Sequence, residues 1–82
     1  MRGSRVIVRT YSGKAALARV WDANSKVVLI TTDDGFRKLS SGKGDVLPIG
    51  FPKVDVFRYN PRLVPTKRGR VDWAKLEPWE PH

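Results

Sequence analysis

Hydrophobic and polar positions alternate through most of the first 59 residues. From Arg5 to Tyr11, Val6 and Val8 alternate with Ile7, Arg9 and Tyr11, the period-two pattern of a half-buried strand. Val27 to Thr32 is continuous and β-branched, as expected of the most buried strand. Asp33-Asp34-Gly35 predicts a tight turn, with Phe36 to Leu39 returning as a short strand. Val54 to Tyr59 predicts a last alternating strand, and Ser40 to Asp45 a flexible loop. Ala15 to Trp21 fits two patterns. As a helix, Leu17, Val20 and Trp21 share a face and Ser12 is the cap. As a strand, it is bounded by turns at Ser12-Gly13-Lys14 and Asp22 to Ser25, which make two successive hairpins. The strand is the preferred reading. Five short, closely spaced strands predict a mostly β fold, a five-stranded small barrel with no exposed edges.

The composition changes near Asn60. Residues 1–59 hold eight of the ten Val and all three Ile, whereas residues 60–82 hold four of the six Pro. Proline lacks a backbone donor and forbids long helices and central strands. The expected organisation is a barrel over 5–59 and a Pro-rich basic arm over 60–82. A short helical turn at 72–77 is capped by Asp72 and stopped before Pro78. No internal repeat is visible. The opening Met1-Arg2-Gly3-Ser4 resembles an expression leader and is given no functional weight.

Length and composition narrow the function. Eighty-two residues make one small domain with a thin core. The absence of Cys excludes disulfides, thiolate metal sites and a Cys nucleophile, and the single His, His82, excludes His-based chemistry within one chain. The adjacent carboxylates Asp33 and Asp34 are explained by a turn. No enzyme activity, cofactor or metal is expected. No apolar run approaches the roughly 18 residues of a membrane span, so the expectation is an intracellular protein of the cytoplasm or nucleoid, without a membrane partner. Sixteen Lys and Arg stand against eight Asp and Glu, a net charge of +8. Such a field attracts polyanions, and nucleic acid is the commonest.

The order Ala18-Arg19-Val20-Trp21, Val27 to Ile30, then Asp33-Asp34-Gly35-Phe36 resembles the centre of a Tudor domain. The first hairpin, Val6 to Thr10 through Gly13-Lys14, looks like the opening of small crenarchaeal chromatin proteins, and Trp21 to Leu39 is similar in rhythm to the C-terminal domain of retroviral integrases. All three are SH3-like small barrels, so the resemblance implies a five-stranded SH3-like barrel over 5–59 with an irregular C-terminal arm. The chain departs from the Tudor pattern at Asp34, where that family has the Tyr of its methyl-cation cage. In the arm, Pro65-Thr66-Lys67-Arg68-Gly69-Arg70 resembles an AT-hook core, whose extended Arg-Gly-Arg lies in a narrow minor groove; Val71 departs from it where Pro is usual.

These features converge on a non-enzymatic nucleic-acid-binding module of low sequence specificity, DNA before RNA and duplex DNA first. The candidate phosphate-contacting residues are Arg5, Arg9, Arg19, Arg37, Lys38, Lys67, Arg68 and Arg70. Tyr11 and Trp21 are the candidate aromatic contacts, interleaved with Arg5, Arg9 and Arg19 on one sheet face. The runner-up is an SH3- or Tudor-like protein-interaction adaptor. It uses an aromatic groove and docks a protein partner or a second copy through Trp73 and Trp79 of the arm.

Overall fold

The structure is a computed structural model and describes residues 2–42 and 44–81. Five antiparallel strands form one sheet: β1 (Arg5–Arg9), β2 (Ala15–Ala23), β3 (Val27–Thr31), β4 (Ile49–Pro52) and β5 (Val56–Arg58), in the order β4-β3-β2-β1-β5. The fold is mostly β, and the ambiguous Ala15 to Trp21 segment is strand. The turn at Asn24 makes this possible. Its carboxamide oxygen accepts from Lys26 N and Val27 N, both at 2.8 Å, and so reverses the chain into β3.

Two predicted elements differ. Asp33 to Leu39 is not a turn and a strand but part of helix α1 (Asp33–Ser40). Thr32 caps it, its hydroxyl accepting from Gly35 N at 3.0 Å. Asp33 and Asp34 occupy the first turn and Arg37 and Lys38 the last, each sign complementing the helix dipole. The fifth strand comes instead from Ile49–Pro52, and the last strand is shortened to Val56–Arg58 by a 3-10 turn over Lys53–Asp55. Pro52 is tolerated in β4 because the strand is an edge. The barrel does not close either, since β4 and β5 remain the two ends of an open sheet.

Alternation along the strands sends Val6, Val8, Ala18, Val20, Val28, Ile30 and Val56 into one core. The wall that an open sheet lacks is supplied by the arm, whose Trp79 is buried in that core. The path of the chain is fixed by backbone bonds. Arg58 N donates to Glu77 O at 2.8 Å and Trp79 N to Val56 O at 3.2 Å, so residues 77–79 cover the outer edge of β5. On the opposite face, Ile7, Ala15, Phe57 and Leu76 form a second cluster under Leu63, Val71 and Trp73. Asp72 caps a 3-10 turn over Trp73–Lys75. The Cα radius of gyration is 12.2 Å, close to the roughly 12 Å of a compact chain of this length, because residues 60–81 lie on the sheet. Trp79 is thus interior to its own chain, and Trp73 is half-buried against Phe57 with ring centroids 5.3 Å apart. Neither is presented as a free docking group.

Replacing Trp79 by Ala should cost about 3–5 kcal/mol, a large part of the roughly 5–15 kcal/mol available to a small domain. Chemical denaturation of both proteins measures it. A loss below about 1 kcal/mol would show that the arm adds nothing to the core.

Candidate functional site

A group of four cations sits where two turns meet. Thr10 N donates to Lys14 O and Gly13 N to Thr10 O, both at 2.9 Å. Thr66 N donates to Arg70 O and Gly69 N to Thr66 O, again both at 2.9 Å. Gly13 and Gly69 hold φ of 82° and 77°, a left-handed conformation that disfavours any side chain. The chain therefore makes the same three-residue hairpin loop twice, from Thr-Tyr-Ser-Gly-Lys and Thr-Lys-Arg-Gly-Arg. The turns are joined by Ala15 N donating to Gly69 O at 2.7 Å. A Cβ on Gly69 would lie 2.7 Å from Lys14 Cβ, so glycine is required there by packing as well as by φ. Between them is a shallow cleft of about 690 Å³ lined by Lys14, Lys67, Arg68, Arg70 and Trp73, with no carboxylate in its wall. Among the described residues none of these four cations is ion-paired.

This geometry departs from the extended arm that the AT-hook resemblance implies. Arg68-Gly69-Arg70 is not extended; it is the closing half of a turn anchored to the β1–β2 hairpin. Its glycine serves the turn and the contact with Lys14.

The other cations are placed unequally. The register sets Arg5 opposite Arg19 and Arg9 opposite Ala15, so Arg5, Arg9 and Arg19 share one face. Arg9 and Arg19 are already engaged by their own chain. Arg9 reaches Asp55 at 3.4 Å and its guanidinium lies 5.3 Å and 5.0 Å from the Phe57 and Trp73 rings. Arg19 donates to Asp33 at 2.6 Å and to Gly3 O at 2.9 Å, tying β2 to α1 and to the N-terminal segment. Lys38 pairs with Asp34 at 3.2 Å along the helix. Arg5 and Arg37 make no ion pair among the described residues and border a second concavity of about 560 Å³, which also contains Asp33. Lys43 lies outside the described residues.

The aromatic candidates do not converge. Tyr11 tops the first turn, whereas Trp21 is the extra residue of a bulge near the far end of β2. Six residues at ~3.3 Å each put roughly 20 Å between the two ends of that stretch, so no single groove includes both. Trp21 packs edge-on to Phe36 at 5.7 Å, and the guanidinium of Arg2 lies 4.5 Å from its ring centre. Arg2 Nε also donates to Trp21 O at 2.9 Å, and Gly3 N to Val20 O at 2.7 Å. The opening residues are thus part of the fold, and the cation on Trp21 is the chain's own.

Lys14 was missed by the sequence reading. The repeated Thr-x-x-Gly-basic spacing at 10–14 and 66–70 is the signal that finds it. No family model matches the chain, and no curated protein or solved structure matches it. The functional reading rests on the residues themselves.

Gly69→Ala should destabilise the fold more than Gly42→Ala. Both positions have positive φ, but a Cβ on Gly42 meets nothing within 4 Å. The difference in denaturation midpoints isolates the docking of the two turns, and equal losses would show that they are not packed together. A second expectation concerns Asp33, which the Arg19 hydrogen bond holds below its ordinary carboxylate pKa. A depressed folded value stabilises fully above the unfolded pKa of about 4, and the contribution is lost as pH falls through the lower folded value. An NMR titration of the Asp33 carboxyl should show a midpoint that rises in Arg19→Gln.

Proposed function

We propose that this protein is a non-enzymatic nucleic-acid-binding module of the cytoplasm or nucleoid that grips backbone phosphates at the cleft between its two turns. The observation that carries the reading is the concentration of Lys14, Lys67, Arg68 and Arg70 around one concavity with no carboxylate in its wall. Six of the eight acidic residues are used elsewhere, in pairs with Arg9, Arg19, Lys38, Lys53, Arg58 and Lys75. Among the described residues nine Lys and Arg make no such pair, and four of the nine stand together at this cleft. Phosphate contact through such a cluster neutralises charge, releases counterions and reads little sequence.

The adaptor reading has less support. Its aromatic groove is divided between distant sites, and its docking tryptophans pack against their own chain.

Binding to nucleic acid should fall by orders of magnitude between about 50 and 200 mM salt if several phosphates are contacted. Replacing Lys14, Arg68 and Arg70 by Ala should lower the log–log salt slope on duplex by about two to three units. Thermal stability should change little, since these side chains are exposed and unpaired. Binding that is flat with salt, or a slope that the triple variant leaves unchanged, would remove the cleft from the interface.

A further inference from the structure

The same cleft carries a statement about the form of the nucleic acid, which rests on the phosphate-binding reading above. Three observations bear on it. The first is Tyr11. It is the second residue of the Thr10–Lys14 turn and adjoins Ser12, which lines the cleft wall. Its relative exposure is 105%, so its ring is as open to water as in an extended peptide. A fully exposed aromatic beside a cation cluster gains most from a partner that offers a flat π-face.

The second is breadth. The β1–β2 hairpin is already two strands across, at ~4.8 Å between strands before side chains are added. The Thr66–Arg70 turn is bonded to it through Ala15 and Gly69. The joined pair is wider than a duplex minor groove of about 6 Å, and Arg-Gly-Arg is folded back into it rather than free to extend. The feature that pointed most directly to duplex DNA is therefore absent.

The third is the distribution of charge. Lys14 belongs to one turn and Lys67, Arg68 and Arg70 to the other, so cations stand on both sides of an open trough. A trough with cations along it suits a single backbone passing through. In a duplex, base faces are hidden in the stack and only edges and phosphates are offered. In a single strand, each phosphate is flanked by a base whose face is free.

We propose that the paired turns form a subsite for single-stranded nucleic acid. The four cations hold consecutive phosphates and Tyr11 stacks on a base beside them. Stacking is tolerant of sequence because every base has a π-face, so the subsite selects strand form and not sequence. The turns supply this arrangement preformed. Each is closed by its own backbone bonds and the pair is locked by glycine packing, so few torsions remain to be ordered on binding.

The test is a set of anisotropy titrations with a labelled oligothymidine and a labelled duplex of equal length, at low and at physiological salt. The proteins compared are the wild type, Tyr11→Ala, Tyr11→Phe and Arg68→Ala/Arg70→Ala. Oligothymidine is expected to bind more tightly than duplex. Tyr11→Ala should weaken the single-strand complex by roughly tenfold with its salt slope unchanged, leave duplex affinity alone, and be rescued in Tyr11→Phe. The double arginine variant should reduce the salt slope on both ligands. A Tyr11→Ala protein that binds oligothymidine like wild type, or that loses affinity equally for both ligands, overturns the single-strand subsite. So does tighter binding of duplex, and each of these results leaves the phosphate-binding function standing. No binding to either ligand at low salt overturns that function and the subsite with it.

Discussion

An open sheet of five short strands in 82 residues needs a further wall, and the insertion of Trp79 into its interior provides one. A chain of this size buries only about 60% of its unfolded surface, so it has little spare apolar material. Val6, Val8, Val20, Val28 and Val56 are fully buried but small. One indole from the far end of the sequence adds the bulk that the strands lack. The hydrogen bonds of Glu77 O and Trp79 N with β5 follow from the same insertion, and they cover an edge that would otherwise invite pairing with another chain.

Once the arm is committed to the core, the placement of charge follows. Two of its three carboxylates are drawn to the cations around β5 and the adjoining 3-10 turn, where Glu77 meets Arg58 at 2.9 Å and Glu80 meets Lys53 at 2.6 Å. Such exposed pairs each contribute little to stability, on the order of 0–1 kcal/mol. Their larger effect is on the surface field, because they neutralise one region and leave the turn region uncompensated. The Thr66–Arg70 turn is carried to the β1–β2 hairpin by the same return of the chain. Core formation and the assembly of a basic cleft are thus two consequences of one chain path.

The strands were legible where packing and local preference agree. Arg5–Arg9 and Val27–Thr31 have an inward face that needs burial, and alternation or β-branching reveals it. Ala15–Ala23 carries helix-forming alanines, yet the flanking turns and the sheet partners on both sides decide for strand, because a helix there would leave β1 and β3 without the neighbour between them. Ile49–Pro52 was not legible, since Gly and two nearby Pro hide an edge strand whose pairing comes from β3. At Phe36 to Leu39 the turn reading of Asp33-Asp34-Gly35 left the capping signal of Thr32 unread. Thr32, two acids and then two bases spell a helix start and end, but Asp-Asp-Gly equally fits a tight turn. The docking of the arm was only partly legible. Three apolar residues, Trp73, Leu76 and Trp79, are costly to expose, but composition does not say whether they meet their own core or another surface.

The same limitation applies to Arg68-Gly69-Arg70. A short motif describes the freedom of a chain, not its surroundings. Gly flanked by Arg is compatible with an extended arm in solution and equally with the left-handed corner of a turn. What separates them is a second turn to bind, and the sequence contains one in Thr10 to Lys14, 56 positions earlier. The carbonyl of Gly69 meets an amide of Ala15 that β1 and β3 leave open, because β3 ends opposite Arg19. An unpaired backbone donor at the end of a strand is costly if buried, which favours bonding to any segment that can reach it. Leu76 and Trp79 hold the distal half of the arm against the sheet, and Leu63 and Val71 pack on either side of the turn. The cations therefore stand on a turn fixed at both ends, and a ligand that meets them encounters charges already in position.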